Sequence, residues 1–97
     1  MNYYVISSKE FKKQFDKLDE KSKKIIYEKV QLVKANPFRY KKIHSKLFSR
    51  VFRIRFSITR KETRLIYVLL HQKIILICLL NRKNDYKNLE KYLKKIK

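Results

Sequence analysis

The stretch from Val51 to Arg82 constrains the fold most, because it reads as three consecutive β-strands separated by short connections. In its first segment, apolar and polar residues alternate from Phe52 to Ser57. A strand with a period of two places the apolar side chains on one face and Arg53 and Arg55 on the other. The first segment therefore predicts a strand with one core face and one basic face.

The second and third segments, Arg64 to Leu70 and Ile74 to Leu80, are almost wholly apolar. Short apolar runs rich in Ile, Leu and Val are typical of central strands that are covered on both faces. Ile58 to Thr63 is predicted to be a charged connection, and His71-Gln72 a tight turn. The single cysteine, Cys78, lies within the third segment, which predicts a buried side chain and no intramolecular disulfide.

The first half of the chain predicts one strand and two helices. Asn2 to Ser7 is rich in Tyr, Val and Ile, as expected for a strand at the edge of the sheet. Ser7 and Glu10 have the spacing of a capping box at the start of a helix. A second amphipathic helix must end near Ala35, because Asn36-Pro37 follows it. Pro37 to Lys46 has no clean period and is predicted to be a loop.

Apolar residues recur at helical spacing near the end of the chain, and they predict an amphipathic C-terminal helix over Tyr86–Lys97. The element order is then β, α, α, β, β, β, α. We predict an α+β fold in one domain, residues 1–97. In this fold the N-terminal strand and a C-terminal three-strand meander form a small antiparallel sheet. The helices pack on one face of the sheet: a helical hairpin from the first half of the chain, and the C-terminal helix that completes the fold.

The charge of the chain predicts what kind of partner it has. The chain carries 27 Lys and Arg against 8 Asp and Glu, a formal net charge of +19. Such a field attracts nucleic acid, an anionic membrane surface or an acidic protein. The residues after Met1 do not form a secretory leader, and no apolar run approaches the roughly 20 residues needed to span a bilayer. We therefore expect a cytoplasmic protein.

Several short motifs, in this order and spacing, resemble those of the RelE/ParE toxin superfamily along nearly the whole chain. They are Lys17-Leu18 after the first helix, Asn36-Pro37, Lys46-Leu47, Phe52–Arg55, Arg64–Tyr67 and the R-x-x-x-Y pattern of Arg82–Tyr86. The resemblance implies the toxin of a type II toxin–antitoxin pair. In the RelE branch, such a toxin enters the ribosomal A site and cuts mRNA with the RNA's own 2′-hydroxyl as nucleophile. It also implies an acidic RelB-like antitoxin as the partner.

The resemblance also implies the site residues. The catalytic set maps onto Arg53, Arg55, Arg64, Arg82 and Tyr86, and the RNA-binding set onto Lys46, Arg53 and Arg55. The chemistry is consistent with these roles, because guanidiniums stabilise the charge that develops on a phosphorane, and an aromatic ring can stack on an unstacked base.

The resemblance does not identify the general base. A guanidinium does not readily release its proton. The glutamate and C-terminal histidine of the YoeB-like branch are not evident in the sequence. His44 and His71 fall in a loop and a turn without further ligands nearby, so no metal or other cofactor is predicted.

Alternative functions remain open at this stage. One is a ParE-like toxin that inhibits DNA gyrase by binding, and another is a basic RNA-binding protein without catalytic activity. A third is a toxin fold whose activity has been lost. Arg53 and Arg55 also fit any half-exposed strand, Tyr67 fits the core of an apolar strand, and Tyr86 could pack on the core face of the last helix.

Overall fold

The computed structural model describes residues 3–81 and 83–96. Within them, the chain forms five strands, three α-helices and one 3₁₀ helix. In chain order these are β1 (Tyr4–Ser7), α1 (Lys9–Asp16), α2 (Glu20–Ala35), β2 (Lys41–Ile43), β3 (Val51–Ile58), β4 (Lys61–Leu70), β5 (Lys73–Leu80), the 3₁₀ helix (Lys83–Asn88) and α3 (Leu89–Ile96). The strands form one sheet in the order β1-β5-β4-β3-β2. The α+β class is confirmed.

The sheet is mixed, which corrects the prediction of an antiparallel one. The β2–β3, β3–β4 and β4–β5 pairs are antiparallel, but β1 runs parallel to β5. Strand periodicity is the same in both directions, so the pattern of Asn2 to Ser7 does not reveal orientation. Strand β2 lies within the segment predicted to be a loop. With only three residues, Lys41–Ile43, it is too short to show a period.

Helices α1 and α2 pack on one face of the sheet, which we call the inner face. Its core comes from both helices and from alternate residues of β3, β4 and β5: Phe11, Ile26, Val30, Val33, Phe52, Ile54, Phe56, Ile58, Leu65, Tyr67, Leu69, Ile74, Leu76 and Leu79. Helix α2 ends at Ala35 as predicted. The cap of α1 is Ser8 rather than Ser7, which is the last residue of β1; the Ser8 hydroxyl accepts a hydrogen bond from Phe11 N at 3.0 Å.

Helix α3 packs on the opposite, outer face. Leu89 and Leu93 are buried there against Val51, Ile66, Val68, Ile77, Cys78 and Leu80. Helices therefore cover both faces, whereas the sequence predicted helices packed on one. From Leu65 to Leu70 in β4 and from Ile74 to Leu80 in β5, both faces are apolar, as predicted, and Cys78 is buried. No helix among the described residues has both the length and the hydrophobicity to cross a membrane.

The two turns of the β3–β4–β5 meander use non-glycine residues with positive φ. Strands β3 and β4 extend further than predicted, so their connection is only Thr59-Arg60, with φ of 52° and 65°. His71, between β4 and β5, has φ of 56°. The chain contains no glycine, the residue that adopts this conformation at least cost.

A β-bulge changes the phase of β5. Ile66 pairs with Cys78 and Tyr67 with Leu76, so Ile77 is the extra residue. Beyond the short β1, side chains of the first helical region cover the free edge of β5. The Ser8 hydroxyl donates to Ile77 O at 2.6 Å, and the Gln14 amide both donates to and accepts from the backbone of Leu79. These contacts provide hydrogen-bond partners for backbone N–H and C=O groups that would otherwise be unpaired at the edge of the sheet.

Candidate active site on the outer face

The outer face of the sheet has an apolar end under α3 and a basic end. We define the basic end as Arg53, Arg55, Glu62 and Arg64. Strands β3 and β4 place these four side chains together, because Arg55 pairs directly with Arg64 and Ser57 with Glu62. Two arginines in directly opposite positions repel each other unless an anion lies between them. The register of the hairpin therefore creates a site that attracts anions.

Arg64 is the buried member of the basic end. The residue is only 4% exposed, although it carries a guanidinium. Its Nη2 donates to Glu62 Oε2 at 3.0 Å, whereas Nε and Nη1 are buried without a hydrogen-bond acceptor among the described residues. Buried polar groups are rarely left unpaired, because each costs about 1–3 kcal/mol and more when charged. Among the described residues, Nε and Nη1 of Arg64 are therefore candidate donors to a ligand.

Glu62 joins the two opposed arginines. Its Oε2 accepts from Arg64, and its Oε1 lies 3.3 Å from Arg55 Nη1. The sequence prediction missed this residue, because Ile58 to Thr63 was assigned to a connection. Once β4 begins at Lys61, strand periodicity places Glu62 on the same face as Arg64. That alternation was the signal that could have identified it.

Tyr86 lies beside the arginines on the 3₁₀ helix that leads into α3. Arg53 Nη1 donates to the Tyr86 hydroxyl at 3.1 Å, and Arg64 Cζ lies 5.8 Å from the centre of the Tyr86 ring. The ring is half-buried and also packs against the outer-face core. Sequence-predicted residues Arg53, Arg55, Arg64 and Tyr86 are therefore brought together in one place.

The two other predicted site residues are Lys46 and Arg82. Lys46 is exposed on the segment between β2 and β3, whose Leu47 and Phe48 pack on the apolar end of the outer face. Among the described residues, no hydrogen bond or ion pair joins Lys46 to the basic end. Arg82 lies outside the described residues. Their predicted roles stay predictions.

Tyr67 belongs to the inner core and not to the site. The residue is fully buried and its hydroxyl donates to Pro37 O at 2.7 Å. Burial raises the pKa of Tyr67 above its ordinary value of 10.0, with a smaller contribution from Tyr40. His44 and His71 are both exposed, and the described residues contain no cluster of three potential metal ligands.

The basic end is suited to binding an oxyanion, such as a planar carboxylate or a tetrahedral phosphate. Arg64 holds two donors in a buried position without an acceptor among the described residues, and Arg55 and Arg53 extend the positive charge toward solvent. Guanidiniums bind phosphate oxygens through directed, charge-assisted hydrogen bonds. The Tyr86 ring adds an aromatic surface next to these donors, as expected at a site for a phosphate that is attached to a base.

Comparisons with known proteins identify the fold from structure alone. No family model and no curated protein matches the sequence. Among solved structures, a free E. coli RelE toxin carrying two arginine-to-alanine substitutions superposes with a TM-score of 0.78 at 17% identity, covering 100% of both chains. The chain has the RelE toxin fold.

Two further structures with the RelE-like fold come from toxin–antitoxin complexes. The RelBE2 complex of Mycobacterium tuberculosis matches with a TM-score of 0.68 at 19% identity, over 84% of this chain and 100% of that one. The archaeal RelE–RelB complex of Pyrococcus horikoshii matches with a TM-score of 0.62 at 18% identity, over 86% and 98%. The RelE-like fold inferred from the sequence motifs is therefore confirmed.

Proposed function

We propose that this chain is the toxin of a type II toxin–antitoxin pair and that it cleaves mRNA in the ribosomal A site. The substrate's own 2′-hydroxyl is the nucleophile. It attacks the adjacent phosphorus, the bond from phosphorus to the 5′-oxygen breaks, and a 2′,3′-cyclic phosphate and a 5′-hydroxyl are formed. Hydrolysis of the cyclic phosphate by water then gives a 3′-phosphate. The proposed setting is the cytoplasm, where ribosomes and mRNA meet this strongly cationic chain.

The observation that supports this proposal is the state of Arg64. Its guanidinium is buried beside three other charged residues of the basic end, yet Nε and Nη1 lack acceptors among the described residues. A scissile phosphate would supply these acceptors. The donors belong to a side chain that the sheet holds in position, so they would stabilise the charge on the phosphorane oxygens once a phosphate reaches them.

Arg53, Arg55 and Tyr86 would position the RNA in this mechanism. The Tyr86 ring offers a stacking surface for one base, and its hydroxyl is fixed by Arg53 at 3.1 Å. Holding the 2′-hydroxyl in line with the 5′-oxygen supplies a large part of the rate in a reaction that has its nucleophile within the substrate. The proposed role of Arg82 is a second guanidinium of the clamp, and that of Lys46 is to bind RNA outside it.

The proposed partner is an acidic, RelB-like antitoxin. Two of the structures that share this fold are complexes: one is the RelBE2 toxin–antitoxin complex, and the other is a RelE–RelB complex. A formal net charge of +19 would speed encounter with an acidic protein, and carboxylates placed over the basic end would occupy the donors that RNA needs.

Primer extension on a defined mRNA in a purified translation system tests the proposal. We expect cuts within codons that require ribosomes and that weaken at least about 10²-fold in Arg64→Ala, the scale seen when a preorganised donor is removed. Lys24→Ala also removes one positive charge, but from an exposed position on α2, which packs on the inner face. This control variant should leave cleavage unchanged.

Intact mRNA with the wild-type protein would overturn the endonuclease proposal. Tight, salt-dependent RNA binding without cleavage would then favour a non-enzymatic RNA-binding protein. Inhibition of supercoiling in a DNA gyrase assay would instead favour the ParE-like alternative.

A further inference from the structure

Glu62 has the position of a catalytic group and not only that of an ion-pair partner. Its carboxylate uses one oxygen for each of two arginines: Oε1 lies 3.3 Å from Arg55 Nη1, and Oε2 lies 3.0 Å from Arg64 Nη2. The side chain is 50% exposed, whereas that of Arg64 is 5% exposed. Glu62 is thus the more accessible member of this pair.

The distribution of carboxylates singles out Glu62. The other acidic residues whose side chains the structure describes lie on α1, α2, the cap of α2 or α3: Glu10, Asp16, Asp19, Glu20, Glu28 and Glu90. Of all the carboxylates whose side chains the structure describes, Glu62 is the one that contacts the arginines of the basic end.

The geometry also fixes where a substrate would lie relative to Glu62. A phosphate that accepts from Nε and Nη1 of Arg64 binds the same guanidinium whose Nη2 already holds Glu62. The 2′-hydroxyl that attacks this phosphorus is on the adjoining ribose. One arginine therefore places the reacting phosphate and a carboxylate side by side, and Arg55 holds the carboxylate from the opposite strand.

Resting on the proposed function, we infer that Glu62 is the general base of the cleavage reaction. Its carboxylate accepts the proton of the 2′-hydroxyl while the 2′-oxygen forms the new bond to phosphorus. The bond to the 5′-oxygen breaks, and the 5′-oxygen takes a proton from water. The protonated Glu62 then returns its proton to the hydroxide so formed, which restores the resting ion pairs.

Glu62→Gln tests this inference, because it keeps an oxygen that can accept from Arg64 and removes the basicity. Glu28→Gln is the matched control: it makes the same change of charge at an exposed position on α2, over the other face. We expect Glu62→Gln to cleave at least about 10²-fold more slowly at saturating programmed ribosomes, while it binds them as tightly as the wild type or more tightly. Glu28→Gln should cleave at the wild-type rate.

Glu62→Asp keeps the carboxylate but shortens the side chain, and we expect a rate between those of the wild type and Glu62→Gln. Thermal unfolding of each variant establishes that the protein is folded, and if Glu62→Gln is unfolded, the Glu62→Asp rate is the test. If Glu62→Gln cleaves at the wild-type rate or faster, Glu62 is not the general base, although the proposed endonuclease activity stands. If Glu62→Gln does not fold, the same result with Glu62→Asp leads to the same conclusion. Intact mRNA with both the wild type and Glu28→Gln overturns the proposed function, and the role of Glu62 falls with it.

Discussion

The two faces of the central sheet are built from the same strands but differ in what covers them. On the inner face, apolar residues of β3, β4 and β5 meet α1 and α2 from one end to the other. On the outer face, α3 covers only the apolar end, and the basic end keeps Arg53, Arg55 and Glu62 partly or largely exposed. The inner face contributes to stability along the helices, and the outer face divides its residues between stability and the candidate site.

This division teaches how a strand of alternating residues can serve both purposes. The β3–β4 hairpin anchors its inner side chains in the core, which fixes the backbone beneath the outer ones. The arginines therefore stand on a rigid sheet and not on loops, so their donors keep a defined geometry. If this comparison is right, substitutions under α3 should change stability, and substitutions at the basic end should change RNA cleavage.

Leu93→Ala should have the largest effect on stability. Leu93 is fully buried where α3 packs on the apolar end, so its truncation should lower the free energy of unfolding by about 2–5 kcal/mol. Urea unfolding measures this change. Leu32→Ala, at a position that is 48% exposed on α2, should change it by no more than about 0.5 kcal/mol. Equal effects of the two substitutions would show that α3 does not cover the outer face.

Substitutions of Tyr86 should distinguish what its ring contributes to cleavage from what its hydroxyl contributes. Loss of a stacking surface costs about 1–3 kcal/mol, so Tyr86→Ala should slow cleavage by about 10- to 100-fold. Tyr86→Phe removes only the hydroxyl that accepts from Arg53 and should slow it by about three- to tenfold. Tyr27→Phe, on an exposed part of α2, is the control and should have no effect. Identical rates for Tyr86→Phe and Tyr86→Ala would argue against stacking.

Tyr67→Phe should lower stability by about 1 kcal/mol at neutral pH, since the inner-face hydroxyl that donates to Pro37 O is lost. The raised pKa of Tyr67 in the folded protein means that the unfolded chain ionises first as the pH rises. Its contribution is therefore complete below the ordinary value of 10.0 and declines above it as the pH rises toward the folded pKa.

Chemical denaturation at a series of alkaline pH values measures this difference. The wild type should lose more stability than Tyr67→Phe as the pH passes 10.0. Parallel stability curves for the two proteins would contradict the assignment of a buried, hydrogen-bonded phenol.

The smallest expected effect concerns the turn that aligns the β3–β4 hairpin. Arg60 has φ of 65°, which costs a residue with a side chain about 1–2 kcal/mol and glycine much less. Arg60→Gly should raise the free energy of unfolding by about 0.5–1 kcal/mol. Lys61→Gly, in β4, should lower it by a similar amount, because there glycine only adds flexibility to the unfolded chain. A destabilising Arg60→Gly would mean that the strain lies elsewhere.

Sequence periodicity predicted the parts of this molecule where burial differs between neighbouring residues. In β3 the alternation placed Phe52, Ile54 and Phe56 in the core and left Arg53 and Arg55 outside it, and the structure confirms this. Asn36-Pro37 likewise marked the end of α2. Such signals are local, because the burial or the backbone geometry of a position limits which amino acids can occupy that same position.

Features that depend on distant partners could not be predicted in this way. The parallel direction of β1 depends on β5, nearly the whole chain away, and the apolar residues of α3 fit either face of the sheet. The bulge at Ile77 interrupts a strand that is apolar on both sides, where a change of phase leaves no trace in the sequence. Sequence periodicity did not identify Glu62, because its place on the outer face depends on the exact start of β4.

Cleavage of an mRNA with a single 2′-deoxynucleotide tests the central claim most directly. The modification is placed on the 5′ side of a mapped cut, so that only the attacking hydroxyl is absent. We expect this cut to disappear while cuts elsewhere in the same mRNA remain. Continued cleavage at the modified position would contradict the central claim, because the phosphorus would then be attacked by water or by a group of the protein, and not by the RNA.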